Sequence, residues 1–107
     1  MMIRQGDILI KKIDKMPEGL PEIPRENGKL ILAYGEVTGH CHYIDDPLAR
    51  MYGTNGSDLT GPKYIHIERP SSPLIHDEHY QYGLAAGDHV VTRQREYAPD
   101  EIKPVRD

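Results

Sequence analysis

Four of the six histidines in this 107-residue chain fall in two tight pairs, Gly39-His40-Cys41-His42 and His76-Asp77-Glu78-His79. Imidazole nitrogen suits Zn, Fe, Cu and Ni, whereas Mg and Ca take oxygen ligands. Side chains alternate across a strand, so His40 and His42 project to one side, spaced to share an ion. On a continuous strand Glu36 and Thr38 lie on that side too. The i, i+3 spacing of His76 and His79 fits a turn, which a curling sheet can bring over the mouth of the first strand. Three or four imidazoles would then surround one point. The expected cofactor is a divalent transition metal, zinc first, with iron, nickel or copper as alternatives, held by His40, His42, His76 and His79. Glu36 is expected as a further ligand, a carboxylate that orients one, or a general base, and Glu78 competes for the base role. The plain structural alternative is a pair of exposed imidazoles and a polar turn whose carboxylates bond their neighbours. Two pairs rather than one favour the metal.

Other polar residues carry weaker signals. Cys41 points away from its histidine neighbours on a regular strand and reads as a small buried hydrophobe. His66 falls on a wet face, and His89, beside a turn, is structural or solvated. In Arg93-Gln94-Arg95-Glu96-Tyr97, one strand face carries Arg93, Arg95 and Tyr97. Arg93 and Arg95 could grip an anion or carboxylate by forked hydrogen bonds. A solvated edge strand whose charges block unwanted pairing is the favoured alternative, because the chain has no phosphate-cradling loop.

The elements that must position these residues read as strands. Ile3 to Ile13 is a β-branched run with a turn or bulge at Gly6-Asp7. Met16 to Gly28, with Pro17, Pro21 and Pro24, is a surface loop. Lys29 to Tyr34 and Glu36 to Ile44 follow, the latter interrupted at Gly39. Leu48 to Tyr52 is a short turn of helix or an edge strand. Gly53 to Gly61 is a loop or hairpin tip. Tyr64 to Glu68 alternates until Arg69-Pro70-Ser71-Ser72-Pro73 ends it, and His89 to Tyr97 is the final long strand. Gly6-Asp7 and Gly87-Asp88 echo one another at the starts of two strands, as a duplicated half or as a shared preference for that turn. Six or seven short strands between Gly/Pro turns, with no amphipathic helix, predict one all-β domain over residues 1–107, a small barrel or compact sandwich.

Composition narrows the setting. The chain has no Trp or Phe, and its seven aromatics are all Tyr, so Ile, Leu and Val must build the core. A metal ion or a second chain would add stability to so thin a core, though a small aliphatic core can suffice, and an oligomer is one expectation. A formal charge of −4, from 13 basic and 17 acidic residues, disfavours nucleic acid as a partner. No apolar run approaches the ~20 residues of a membrane helix, so no membrane partner is expected. The polar N-terminus and the lone cysteine fit the cytoplasm.

Gly35-Glu36-Val37-Thr38-Gly39-His40-Cys41-His42, followed by a later histidine on a turn, resembles the first metal motif of the cupins. Here the glutamate that cupins place after the pair is missing, as is their second motif with Pro-x-Gly. The resemblance implies a cupin-like barrel and ligand logic. Over nearly its full length the chain is also similar to a family of small uncharacterised bacterial and phage-borne proteins. Gln5-Gly6-Asp7-Ile8-Leu9, the GEVTGHxH segment, His76-x-Glu78-His79 and Arg93-Gln94-Arg95-Glu96-Tyr97 carry that likeness. The expected function is a small metalloprotein, as an enzyme a hydrolase or lyase acting on a small polar molecule. The alternative is a non-catalytic binding or assembly module with a structural ion or none.

Overall fold

The computed structural model describes residues 2–34, 40–53, 61–77 and 79–93. Among them are eight strands and no helix: β1 Met2–Gln5, β2 Ile8–Ile13, β3 Glu22–Ile23, β4 Leu30–Tyr34, β5 Cys41–Ile44, β6 Arg50–Tyr52, β7 Lys63–Ile75 and β8 Tyr82–Arg93. The all-β class is as expected. The strands number eight, not six or seven, and form one antiparallel sheet in the order β1-β2-β8-β7-β5-β4, with β6 also on β7 and β3 on β6. No described helix is long and apolar enough to cross a membrane.

Alternation decides which side chains face inward. Ile8 and Ile10 of β2, His42 and Ile44 of β5, and Lys63, Ile65 and Ile67 of β7 are buried at every second position. The isoleucines among them form, with Leu30, Leu32, Met51, Leu74, Leu84 and Val91, a core that is aliphatic apart from Met51, and Tyr82 packs at its margin. Each such side chain contributes about 1.5–3 kcal/mol when fully buried.

Two elements depart from the sequence expectation for local reasons. The segment Arg69-Pro70-Ser71-Ser72-Pro73 does not end a strand. β7 runs through it, and the register with β8 shifts between Ile67↔Gly87 and Ser71↔Ala85. Four steps along β7 match two along β8, so Glu68 to Pro70 bow outward where a missing proline donor costs no ladder bond. Within the proline-rich loop, Glu22 and Ile23 pair with Tyr52 and Met51, so β6 has neighbours on both sides and is not an edge.

The bulge sets the path of the sheet. Before it, β7 pairs with β6 through Tyr64 to His66, and after it with β5 through Leu74 and Ile75. β8 gives its far end, Asp88 to Arg93, to β2. The two Gly-Asp steps end up at opposite ends of this β2–β8 pair, Gly6-Asp7 as the β1–β2 turn and Gly87-Asp88 inside β8 beside the register shift, not as the turn expected from the sequence. Gly6 and Gly87 both have positive φ, +57° and +120°, so a shared need for glycine's backbone freedom accounts for the echo.

Candidate metal centre

β5 pairs with β7 at Tyr43↔Ile75 and Ile44↔Leu74. One further step in that register sets His42 opposite His76, the first residue after β7. His42 is 2% exposed and His76 7%. Their ring centroids lie 4.3 Å apart, those of His76 and His79 4.5 Å, those of His42 and His79 5.8 Å, and those of His40 and His76 5.9 Å. The strand pair and the turn pair, remote in sequence, thus meet in one four-imidazole cluster.

The β1–β2 turn closes over this cluster. Alternation along β1 turns Ile3 and Gln5 inward, so a carboxamide occupies a position expected to be apolar. Gln5 Nε2 donates to Tyr80 O at 2.7 Å and to Leu74 O at 3.3 Å. Two carbonyls at one end of the amide identify that end as NH2, so its other end, Oε1, is the acceptor 2.8 Å from His42 Nδ1. His42 Nδ1 therefore carries a proton and, in the neutral ring, Nε2 carries the lone pair. Burial, reinforced by His76, His79 and the Arg93 cation, pushes the His42 pKa down from 6.5 to about 3, so the ring is neutral near pH 7.

Gly6 and Asp7 complete this wall. A Cβ on Gly6 would come 2.8 Å from His79 Nε2 and 3.1 Å from His42 Cε1, so only glycine lets the backbone approach this closely. Asp7 Oδ1 lies 3.5 Å from His42 Nε2, and Oδ2 lies 2.9 Å from Arg93 Nε. Arg93 also donates to Tyr34 O at 3.1 Å. On the wetter side, His40 Nε2 stands 3.7 Å from Asp77 Oδ2. Gln5, Gly6 and Asp7 were absent from the sequence-based site. The one readable signal was the inward parity of Gln5.

The remaining expectations sort as follows. Glu36, Glu78 and Arg95 lie outside the described residues. Arg93 is on an interior strand, not a solvated edge, and its guanidinium is engaged by the protein's own Asp7. Cys41 is half-buried on the face opposite His42, and burial raises its thiol pKa. His66 is part-exposed with Nδ1 2.7 Å from Asp88 Oδ1. His89 is buried and donates from Nε2 to Ala85 O at 2.8 Å, a structural role.

Among the described residues, no group of three or more His, Cys, Asp or Glu side chains is arranged so that it could hold a metal ion. The rings meet by faces and edges, with interplanar angles from 11° to 84°. The donor chemistry nevertheless suits a transition metal. Four imidazoles adjoin one another, and one has its Nδ1 proton committed to an amide oxygen, the outer support that metal-binding histidines ordinarily have.

The family model described as a domain of unknown function, DUF8820, matches residues 4–94, and the chain belongs to this family. The matched span contains Gln5, Asp7, all four clustered histidines and Arg93. No curated protein and no solved structure matches the chain.

Proposed function

We propose that this member of the DUF8820 family binds a divalent transition metal, zinc first, through His42, His76 and His79, with His40 as the fourth ligand. The observation that carries the reading is the Gln5–His42 hydrogen bond, which commits Nδ1 as donor and leaves the lone pair on Nε2, in a ring that adjoins those of His76 and His79. Binding requires His76, His79 and His40 to turn about their side-chain torsions, while Gln5 holds His42 in place. A bound ion would supply a Lewis acid, the chemistry that hydrolases and lyases apply to small polar substrates. This chain's own residues would orient the ligands through Gln5 and admit a substrate from the side of His40 and Asp77.

Burial of His42 and His76 favours a second reading, a closed structural ion in a non-catalytic binding or assembly module. An open coordination position separates the two, and a small exogenous anion that perturbs a bound cobalt spectrum would indicate the catalytic form.

The test is elemental analysis of protein purified without a histidine tag, followed by metal titration of the wild type and His42→Ala at several pH values. Proton and metal compete for the same imidazole nitrogens, so wild-type affinity should fall steeply between about pH 7 and 5. His42→Ala should bind far more weakly at every pH. Wild-type affinity that stays flat down to about pH 5, or an unaffected His42→Ala, overturns the reading.

A further inference from the structure

We infer that Asp7 is an oxygen ligand of the same ion, making the centre a mixed imidazole–carboxylate site. The inference rests on the metal reading above and adds to it the identity of one donor and the class of ion preferred.

Asp7 Oδ1 and His42 Nε2 face one another at 3.5 Å. Nδ1 of that ring already donates to Gln5, so the atom turned toward Asp7 is an acceptor facing an acceptor. Two lone pairs aimed at one gap are stabilised by a cation between them. The carboxylate is only 17% exposed, and its other oxygen is engaged by Arg93 Nε at 2.9 Å. Arg93 thereby works as a positioning residue. It holds Oδ2 so that Oδ1 stays directed at the imidazole, and it favours one-oxygen rather than two-oxygen ligation.

Placement of Asp7 has a structural cause as well. The turn it occupies is held over the cluster from both sides, by Gln5 bonding to Leu74 and Tyr80 and by Gly6 packed on His42 and His79. A single turn thus brings the amide that orients His42 and a carboxylate that can share its ion. A hard oxygen donor beside imidazoles suits Zn(II), Fe(II) or Ni(II) and disfavours Cu(I), which seeks thiolate or thioether.

The test loads metal-free protein with Co(II) and compares wild type, Asp7→Asn, Arg93→Gln and His42→Ala by visible absorption and by affinity. Asp7→Asn should move the d–d bands and weaken Co(II) binding on the order of a hundredfold, the upper end of what loss of an outer-shell partner causes. Arg93→Gln breaks the same ion pair but keeps the carboxylate, so it should bind Co(II) far more tightly than Asp7→Asn does, with bands displaced only as the freed Oδ2 joins the ion. An Asp7→Asn spectrum and affinity matching wild type, while His42→Ala loses binding, would overturn the Asp7 assignment and leave the histidine site standing. Matching changes in Asp7→Asn and Arg93→Gln would likewise reduce Asp7 to a partner of Arg93. Failure of the wild type to bind Co(II) overturns both proposals. Should Asp7→Asn not fold, Asp7→Glu replaces it: displaced bands support ligation, and an unchanged spectrum rejects it.

Discussion

Gln5 and His42 fix each other's hydrogen-bonding state: the amide oxygen accepts from Nδ1 at 2.8 Å because the amide nitrogen is spent on two main-chain carbonyls. Gln5→Ala removes the partner of all three groups in a buried setting. An unsatisfied buried polar group costs about 1–3 kcal/mol, so the variant should lose roughly 2–4 kcal/mol in urea unfolding. Its metal affinity should fall about 10–100-fold, because the ring then turns freely. A stable Gln5→Ala protein with wild-type affinity would contradict this account.

Gly6 offers a second test, with Gly28 as its control. Both have positive φ, +57° and +79°, but a Cβ on Gly28 meets nothing within 4 Å. Gly28→Ala should cost only the backbone strain, about 1–2 kcal/mol. Gly6→Ala adds a collision with His79 and His42, so it should cost at least about 1 kcal/mol more and also lower metal capacity. Equal losses of stability in the two variants would show that the rings yield freely.

How much of this site was legible in the sequence follows from the range of each signal. Alternation is local, so the common side of His40 and His42 could be read from three residues. The meeting of His42 with His76 depends on the β5–β7 register, which no short segment encodes. Gln5 and Asp7 stayed hidden because polar residues flanking a glycine look like an ordinary turn until the sheet folds them over the histidines. The strands were legible where apolar residues alternate. β3 was not, because two residues among prolines carry no period, and the full length of β7 was not, because Pro70 falls in a bulge and Pro73 sits within the ladder opposite Gly83.

Acid should destabilise the metal-free protein in two stages. An unfolded His42 takes up its proton near pH 6.5 and the folded one only near 3. Between these values the unfolded state binds more protons, so stability falls as the pH falls. At pH 5 this group alone should cost about 2 kcal/mol relative to pH 7.5, and buried His89, whose pKa is also lowered, acts in the same direction. Asp46 and Asp88 enter later. Burial opposes their ionisation. Ser72, the Leu48 N–H, Arg69 and Arg25 outweigh it for Asp46, and for Asp88 the His66 and Met16 hydrogen bonds do so with help from the nearby imidazoles. Both are therefore held below the ordinary carboxylate range. Their contribution is complete above about pH 4 and is lost as the pH falls through the lowered folded values. Urea midpoints from pH 7.5 to 3 should show both stages, and His42→Gln should flatten the first.

Asp46 ties the turn after β5 to β7. Its carboxylate, 2% exposed, accepts from Leu48 N at 2.9 Å, hydrogen-bonds Ser72 Oγ and lies 3.3 Å from Arg69 Nε. Asp46→Ala should destabilise by roughly 2–4 kcal/mol, since it leaves the buried Ser72 hydroxyl and the Leu48 N–H without their acceptor at about 1–3 kcal/mol each. Arg69→Ala should cost no more than about 1 kcal/mol, because that side chain is half in water. Chemical unfolding of the two variants checks the order, and a larger loss for Arg69→Ala would refute it.

Pairing of Ile8 with Arg93 joins the two ends of the described chain, and this shapes how the protein is made. A growing polypeptide can form the β7–β8 hairpin by itself, yet β2 must wait until Arg93 has left the ribosome before its partner strand is complete. Closing so long a loop is entropically costly before any contact compensates, which places such a topology among the slower folders, in milliseconds to seconds. During that interval the first histidine pair is present without Asp7 held over it. The order of synthesis therefore keeps the imidazole pair of β5 from being locked under Gln5 and Asp7 until β8 is in place.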